Sequence, residues 1–235
     1  MQNELTYNAC KQLFEQNKLS ISEDAYIKLD QYAKLLQIES AHQNVTAVHE
    51  AAEIWSRHFL DSAYLLQYIT ADKVLDLGTG GGIPAIPLAI MNQDLAVTML
   101  DSELKKIEFC RSAVQSLGIS ANPINGRAEE LARAPEYENK FDVVVSRAMA
   151  NGSVLTELAA RFLHIGGILL AMKGKQYDPS VERFAEAAAA VGCKVENEIT
   201  YELDSETKNL IILRKIADTP AQYPRRYAKI KRCPL

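Results

Sequence analysis

The sequence predicts an α/β protein with a doubly wound, mainly parallel sheet. Three observations lead there. Short apolar runs alternate with helical patterns from position 73 onward. A glycine-rich loop joins the first of those runs to a helix. The last two runs are separated only by DSETK, too short for a crossover, so they must run antiparallel. Strands that alternate with helices give a parallel sheet covered on both faces. The expectation is an open sheet with an antiparallel hairpin at one edge.

Residues 1–70 read as a helical extension packed on the core. Ser22, followed by Glu23 and Asp24, offers a hydroxyl cap and two acids at the positive end of a helix. Tyr26, Leu29, Tyr32, Ala33 and Leu36 then fall near helical spacing. A second helical pattern runs from about Glu50 to Tyr68, with Ile54, Trp55, Phe59, Ala63 and Leu66 apolar. The polar segment AHQNVTAVHE connects the two.

Residues 71–216 carry the alternation. KVLDLG is a strand, and IPAIPLAIM a helix whose prolines lie in or near its first turn, where a missing N–H costs little. LAVTMLD is a strand, and SELKKIEFCRSAVQSLG a helix closed by a glycine. FDVVVSRA is a strand, SVLTELAARFLHIGG a helix, ILLAMKG a strand and SVERFAEAAAAVG a helix. KVENEITYEL and NLIILRKI form the hairpin. Residues 217–235 are a basic tail.

Composition bounds the function classes. A chain of 235 residues holds one domain, or one domain with an appendage. With 48% hydrophobic and 24% charged residues, disorder is excluded. No apolar run approaches the roughly 18 residues of a membrane span. The N-terminus MQNELTYNAC is polar and acidic, so a cytoplasmic protein with no membrane partner is expected. Cys10, Cys110, Cys193 and Cys233 are scattered, and His42, His49, His58 and His164 form no ligand motif, so no metal is expected. Net charge is −4, but Arg225, Arg226, Lys229, Lys231 and Arg232 crowd into residues 219–235, which hold no Asp or Glu, while the remainder carries 30 acids against 21 bases. Such a tail is either a solvated terminus or a local contact for a polyanion.

The chemical centre is VLDLGTGGGIPAIPL. Gly78, Gly80, Gly81 and Gly82 let backbone approach a ligand closely. The first strand of a doubly wound sheet ends at the crevice where nucleotides bind. The next strand ends in Asp101, 19 residues after Gly82, where a carboxylate can accept from ribose hydroxyls. A dinucleotide fingerprint is GxGxxG, yet Ile83 stands where its third glycine belongs. Asp76, at the strand end, would sit badly beside a pyrophosphate and suits a cationic ligand. S-adenosylmethionine, with an ammonium, a sulfonium and no phosphate, answers that charge better than a nicotinamide dinucleotide.

Seven motifs in order make the resemblance specific. NVTAV, RHFLDS, LDLGTGGGIPAIPLAI, VTMLDSELKK, GRAEEL, VVVSRAMA and the tail YPRR…PL resemble the RsmG (GidB) family over nearly the whole chain. The resemblance implies a Rossmann-like class I methyltransferase with a mainly parallel seven-stranded sheet, one strand more than the six legible above. It implies transfer of a methyl group from S-adenosylmethionine to N7 of one guanosine, position 527 by the usual count, in 16S ribosomal RNA. It places Asp76, Gly78, Gly80, Gly82 and Ile83 around the cofactor loop, Asp101 on the ribose, and Ala128 and Glu129 at the adenine end. Arg147 falls by the methionine part and the reacting centre. The family commonly has Gly at Ala85, Phe or Leu at Ile83, and Trp-Asn where Glu39 and Ser40 stand.

Guanine N7 carries no proton, so attack on a sulfonium methyl needs no general base. The requirement is alignment and exclusion of water. In A-form duplex N7 faces a groove that side chains cannot read, so the target base must be unpaired or extruded. Ser146 and Arg147, at a strand's carboxyl end, face the crevice; a salt bridge would equally explain the arginine. His58 and Asp61, three apart on a helix, either line the pocket or anchor that helix. Asn44 and Thr46 carry the same ambiguity. Lys173, Tyr223, Arg225 and Arg226 are the candidate contacts to 16S RNA or a 30S particle, by phosphate pairing and stacking. The alternatives are a non-catalytic RNA-binding or ribosome assembly factor and a methyltransferase with another acceptor.

Overall fold

The structure, a computed structural model, describes residues 5–40, 46, 48 and 50–235. The N-terminal part begins with α1 (Tyr7–Gln16) and α2 (Glu23–Ser40). Ser22 caps α2 as its sequence suggests: its Oγ accepts from the Ala25 N–H at 3.2 Å. A second helical stretch then runs without a break through four geometries. It starts as α3 (Ala51–Ile54), widens into a π-helical turn (Trp55–Leu60), returns as α4 (Asp61–Tyr64) and tightens into a 3₁₀ turn (Leu65–Tyr68). A π-helical insertion of this kind often marks a functional site, because it re-aims side chains within a continuous helix.

The core alternates as its sequence predicts. Its elements are β1 (Lys73–Leu77), α5 (Ala85–Met91), β2 (Ala96–Asp101), α6 (Leu104–Leu117), β3 (Ala121–Asn125), α7 (Ala128–Leu131), β4 (Phe141–Arg147) and α8 (Gly152–Ala159). There follow β5 (Leu163–Gly174), α9 (Pro179–Glu182), α10 (Phe184–Val191), β6 (Cys193–Leu203), β7 (Glu206–Lys215) and α11 (Tyr227–Arg232). The seven strands lie in the order β3-β2-β1-β4-β5-β7-β6. All neighbours are parallel except β5·β7 and β6·β7. Strand order reverses between β1 and β4, so their carboxyl ends open the crevice where ligands bind in such sheets.

Three features depart from the expected elements. The helix expected over 180–192 is broken at Arg183, whose φ of 53° separates α9 from α10. The strand β3, ANPIN, has no apolar alternation; it is held at the sheet edge by register with β2, where Val97 faces Ala121 and Asp101 faces Asn125. The helix expected over 153–167 stops at Ala159, and β5 already begins at Leu163. Leu163 pairs with Phe141 and Ile168 with Val143, so a bulge absorbs the intervening residues. Gly167 fits there because a Cβ would stand 2.9 Å from the Asp142 carbonyl oxygen.

Hydrophobic packing divides by sheet face. One core joins α1, α2, the π-helical turn, α5 and α6 to the sheet; the other joins α8, α10 and the tail's Ile230 to the opposite face. Phe14, Tyr32, Trp55 and Phe59 are completely buried in the first. Burying each such ring contributes about 2–3 kcal/mol, so the N-terminal helices are part of the folded body. Among the described residues, no helix is long and apolar enough to cross a membrane.

The tail is equally fastened. The Arg161 guanidinium donates to the carbonyls of Thr219, Pro220 and Tyr223, and that of Arg133 to Ala221 and Pro224. Buried Lys215 donates to the Ala160 carbonyl and to the Thr219 hydroxyl. Residues 217–235 therefore lie across α7 and α8, and a freely solvated terminus is ruled out.

Candidate functional site

A cavity of about 580 Å³ opens at the carboxyl ends of β1, β2 and β4. Its floor is the loop after β1. Gly78 and Gly80 adopt positive φ, at 77° and 57°, which glycine alone takes up without strain. Gly78 also has no room for a side chain, since a Cβ would meet Met149 Cγ at 2.5 Å, whereas a Cβ on Gly80 would meet nothing within 4 Å. Gly78, Gly80, Gly81 and Ile83 line the cavity.

Gly82 does not line it. Its φ of 94° turns the chain into α5, and a Cβ there would strike Ile86 and the Tyr32 hydroxyl. Tyr32, a residue the motif reading missed, donates from α2 to the Gly81 carbonyl at 2.5 Å. The helical extension thus clamps the glycine loop from behind. Helical spacing marks Tyr32 as a core position but cannot show that its hydroxyl reaches the loop.

Asp76 likewise sits behind the loop, fully buried and outside the cavity lining. Its Oδ2 accepts from the Thr79 hydroxyl at 2.7 Å and the Ala85 N–H at 3.2 Å, which ties loop to helix. A direct contact to a cationic ligand is therefore replaced by a scaffolding role, because loop and α5 enclose the carboxyl. Burial raises its pKa to about 7, partly offset by those two hydrogen bonds. Its Oδ1 is buried with no partner among the described residues.

Asp101 ends β2 within the cavity lining, and its carboxylate organises two turns. Oδ2 accepts from Gly80 N–H at 3.0 Å and Oδ1 from Glu103 N–H at 2.9 Å. Each oxygen keeps a second lone pair for a ligand hydroxyl. Gly126, Arg127, Ala128 and Glu129 continue the wall beyond it, with Leu158 and Tyr227. A glycine backbone floor, a carboxylate beside it and a far wall of mixed aliphatic, charged and aromatic side chains fit a nucleoside.

The other end is built on Arg147. Its guanidinium donates to the Arg57 carbonyl at 2.9 Å and to His58 Nδ1 at 2.8 Å, and stands 3.6 Å from Asp61 Oδ2. Since arginine can only donate, His58 Nδ1 is an acceptor. Its Nε2 then carries the proton toward Thr46 Oγ1, 2.7 Å away. Burial and then the Arg147 charge lower the His58 pKa to about 3. Asp61 also accepts from the Tyr201 hydroxyl at 3.1 Å and lies 4.0 Å from the Lys208 ammonium. The π-helical turn therefore presents a carbonyl and an imidazole, and the first residue of α4 a carboxylate, to one arginine. His58, Thr46 and Arg147 line the cavity, while Asp61 lies behind them. Asn44, His42 and His49 fall outside the described residues.

Ser146, Lys173, Arg225 and Tyr223 do not line the cavity. Ser146 is buried and donates to the Leu77 carbonyl at 2.8 Å, joining β4 to β1. Lys173 donates to Glu182 at 2.7 Å and to the Ala150 carbonyl, so its charge is neutralised within the fold. Arg225 grips completely buried Glu157 through Nε and a terminal nitrogen. Tyr223 packs beside Arg225, its ring 5.7 Å from the guanidinium. For Ser146 and Arg225 a buried acceptor demands the donor. Arg226 is different: it is exposed and has no ion pair among the described residues. No cluster of three metal-ligating side chains is present among them either.

Residues 25–211 match the family model GidB, rRNA small subunit methyltransferase G. The ribosomal RNA small subunit methyltransferase G of Clostridium novyi is 39% identical over 223 residues, covering 92% of each chain. That of Deinococcus deserti is 39% identical over 216 residues, covering 88% of each. Among solved structures, a geranyl diphosphate methyltransferase in complex with SAM superposes with a TM-score of 0.54 at 14% identity, covering 71% of this chain and 88% of that one. The TYW2 protein of M. jannaschii in complex with AdoMet gives 0.53 at 16% identity, covering 71% and 81%. These two share the fold. Match length and identity to the curated relatives together settle membership: the chain belongs to the GidB family of rRNA small subunit methyltransferase G.

Proposed function

We propose that the protein transfers a methyl group from S-adenosylmethionine to N7 of a guanosine in 16S ribosomal RNA. One observation carries the reading. A glycine-floored nucleoside cleft with Asp101 at its middle ends at an arginine held by a neutral histidine. Bound there, the cofactor supplies an electrophilic methyl group on a sulfonium, which an attacking lone pair takes as the thioether departs.

The protein's residues then have three tasks. Gly78 and Gly80 bring backbone against the cofactor, and Asp101 accepts from its ribose. Ala128 and Glu129 border the purine end. Arg147 holds the acceptor. Two of its N–H groups are engaged by Arg57 and His58, and its charge faces Asp61 at 3.6 Å; the other N–H groups have no hydrogen-bond partner among the described residues and can bond guanine O6 or a phosphate. No group here needs to remove a proton, because N7 has none. His58 fits that chemistry: with a pKa near 3 it stays neutral, so it orients Arg147 without adding positive charge. Alignment of this kind contributes about 7–11 kcal/mol to lowering a barrier.

The RNA side rests on the exposed cations of the tail. Arg226, Lys229, Lys231 and Arg232 are solvent-facing on or beside α11, and we assign phosphate contact to them. The test is transfer from labelled S-adenosylmethionine to 16S RNA and to 30S particles from cells lacking this gene, mapped by cleavage at 7-methylguanosine. Label at one guanosine supports atom and substrate together. Cofactor binding without label in either substrate moves the reading to another acceptor. Absence of both moves it to a non-catalytic assembly factor.

A further inference from the structure

The tail's Tyr227 lines the cavity, although it lies 126 residues from Asp101 in sequence and outside every loop of the sheet. Its position is fixed by neighbours on the purine side of the cleft. Arg225, two residues before it, is clamped to Glu157 of α8, next to the cavity residue Leu158. Pro224 accepts from Arg133, just beyond α7, whose first residues are Ala128 and Glu129. Three residues further on, Ile230 is completely buried, so α11 presses the face shared by Tyr227 and Ile230 onto the body. Arg147, His58 and Thr46 hold the opposite end, away from these anchors.

We infer that Tyr227 is a cofactor-binding residue whose ring forms the aromatic wall of the purine subsite. The inference rests on the cofactor reading above. Tyr227 is 36% exposed although its helix is anchored, and its side chain borders the cavity. The rest of that wall is aliphatic or charged: Leu158, Ala128, Glu129 and Arg127. An aromatic face is what a purine needs for stacking, and loss of one base–aromatic stack typically costs 1–3 kcal/mol, which is roughly 5- to 150-fold in affinity.

The test is calorimetric titration of the full-length protein with S-adenosylhomocysteine, using wild type, Tyr227→Phe, Tyr227→Leu and Tyr227→Ala. Phe should bind within about twofold of wild type, Leu several-fold weaker, and Ala roughly ten- to a hundredfold weaker. Ala binding as tightly as wild type overturns the inference, as does an unchanged dissociation constant with weakened 16S RNA binding, which would give the ring to the RNA. If Tyr227→Ala does not fold, the Phe and Leu variants decide, since equal affinity for both removes any stacking role. Failure of the wild type itself to bind S-adenosylhomocysteine would instead sink the cofactor reading.

Discussion

Arg147 donates to His58 Nδ1 at 2.8 Å, which joins the end of β4 to the π-helical turn of the N-terminal extension. The bond spans 89 residues of sequence, so the extension and the sheet assemble one end of the cleft together. It also fixes the histidine's tautomer and keeps it neutral. Replacing Arg147 with Ala should abolish methyl transfer while leaving S-adenosylhomocysteine binding within a few-fold. Replacing His58 with Gln should lower kcat with a smaller change in cofactor affinity, because the arginine stays but loses its aim. Steady-state kinetics beside calorimetry separate the two; retained transfer in Arg147→Ala would remove the arginine from the mechanism.

The same histidine and Asp76 give opposite pH slopes to stability. The His58 pKa falls from 6.5 to about 3 on folding, so between those values the unfolded chain binds more protons. Stability from this group is complete above pH 6.5 and drains as pH falls toward 3. Asp76 rises from 3.8 to about 7, so its contribution is complete below about pH 4 and drains as pH climbs to 7. Between pH 4 and 6.5 the slopes oppose, each at most about 1.4 kcal/mol per pH unit. Asp76→Asn should therefore expose the His58 slope, and stability should rise more steeply with pH than in wild type. Urea unfolding of the ligand-free protein from pH 4.5 to 7.5 reads this directly; an unchanged profile would mean that Asp76 is ionised throughout.

Gly78 and Gly80 look alike in the motif but differ in surroundings. Gly80→Ala meets only backbone strain, about 1 kcal/mol. Gly78→Ala meets that strain and a methyl 2.5 Å from Met149 Cγ. Cofactor affinity should fall modestly in the first and by more than tenfold in the second. Adding Met149→Ala to Gly78→Ala should recover part of the loss, since it relieves the clash but not the φ. Equal losses in the two single variants would mean that the ligand, and not Met149, sets the need for glycine at position 78.

These contrasts show what sequence could and could not reveal. Strand–helix alternation and the position of Asp101 are written in local patterns, so the parallel sheet and the cleft follow from them. The strand β3 was not legible, because ANPIN is polar and holds Pro123; only its register with β2 makes it a strand. The end of α8 was misplaced because the apolar spacing of ARFLHI continues past Ala159, while pairing with Phe141 claims Leu163 for the sheet. At the site, residue type identified Arg147, His58 and Asp61, but not that all three meet. Charge in the tail was legible, but which cations are consumed inside was not. Buried Glu157 sits in an apolar helical pattern and gives no sign of its partner.

Tyr32 provides a test of the clamp behind the loop. Tyr32→Phe keeps the ring that stacks on Phe59 and removes only the hydroxyl that donates to Gly81. The buried carbonyl loses its donor, at about 1–2 kcal/mol. Cofactor affinity should drop several-fold and RNA affinity should not change. Equal loss of both would make the clamp a matter of global stability, which thermal unfolding would show.

Arg225 and Arg226 are adjacent in sequence and opposite in task. Arg225 faces Glu157, a carboxylate with no exposure, through a bidentate pair. Arg225→Ala leaves that charge buried and unpaired, which typically costs about 3–5 kcal/mol. Glu157→Gln should rescue a large part of the loss, because a neutral amide tolerates burial better than an anion. Arg226 has no such partner among the described residues and faces solvent, so Arg226→Ala should leave stability within about 0.5 kcal/mol. Its effect belongs to RNA: weaker binding, and a salt-dependence slope shallower by about one unit as one phosphate contact is lost. Chemical denaturation and RNA binding at several salt concentrations, run on both variants, separate the roles. Should Arg226→Ala keep the full slope, phosphate contact passes to Lys229, Lys231 and Arg232, and the same titration on those variants would locate it.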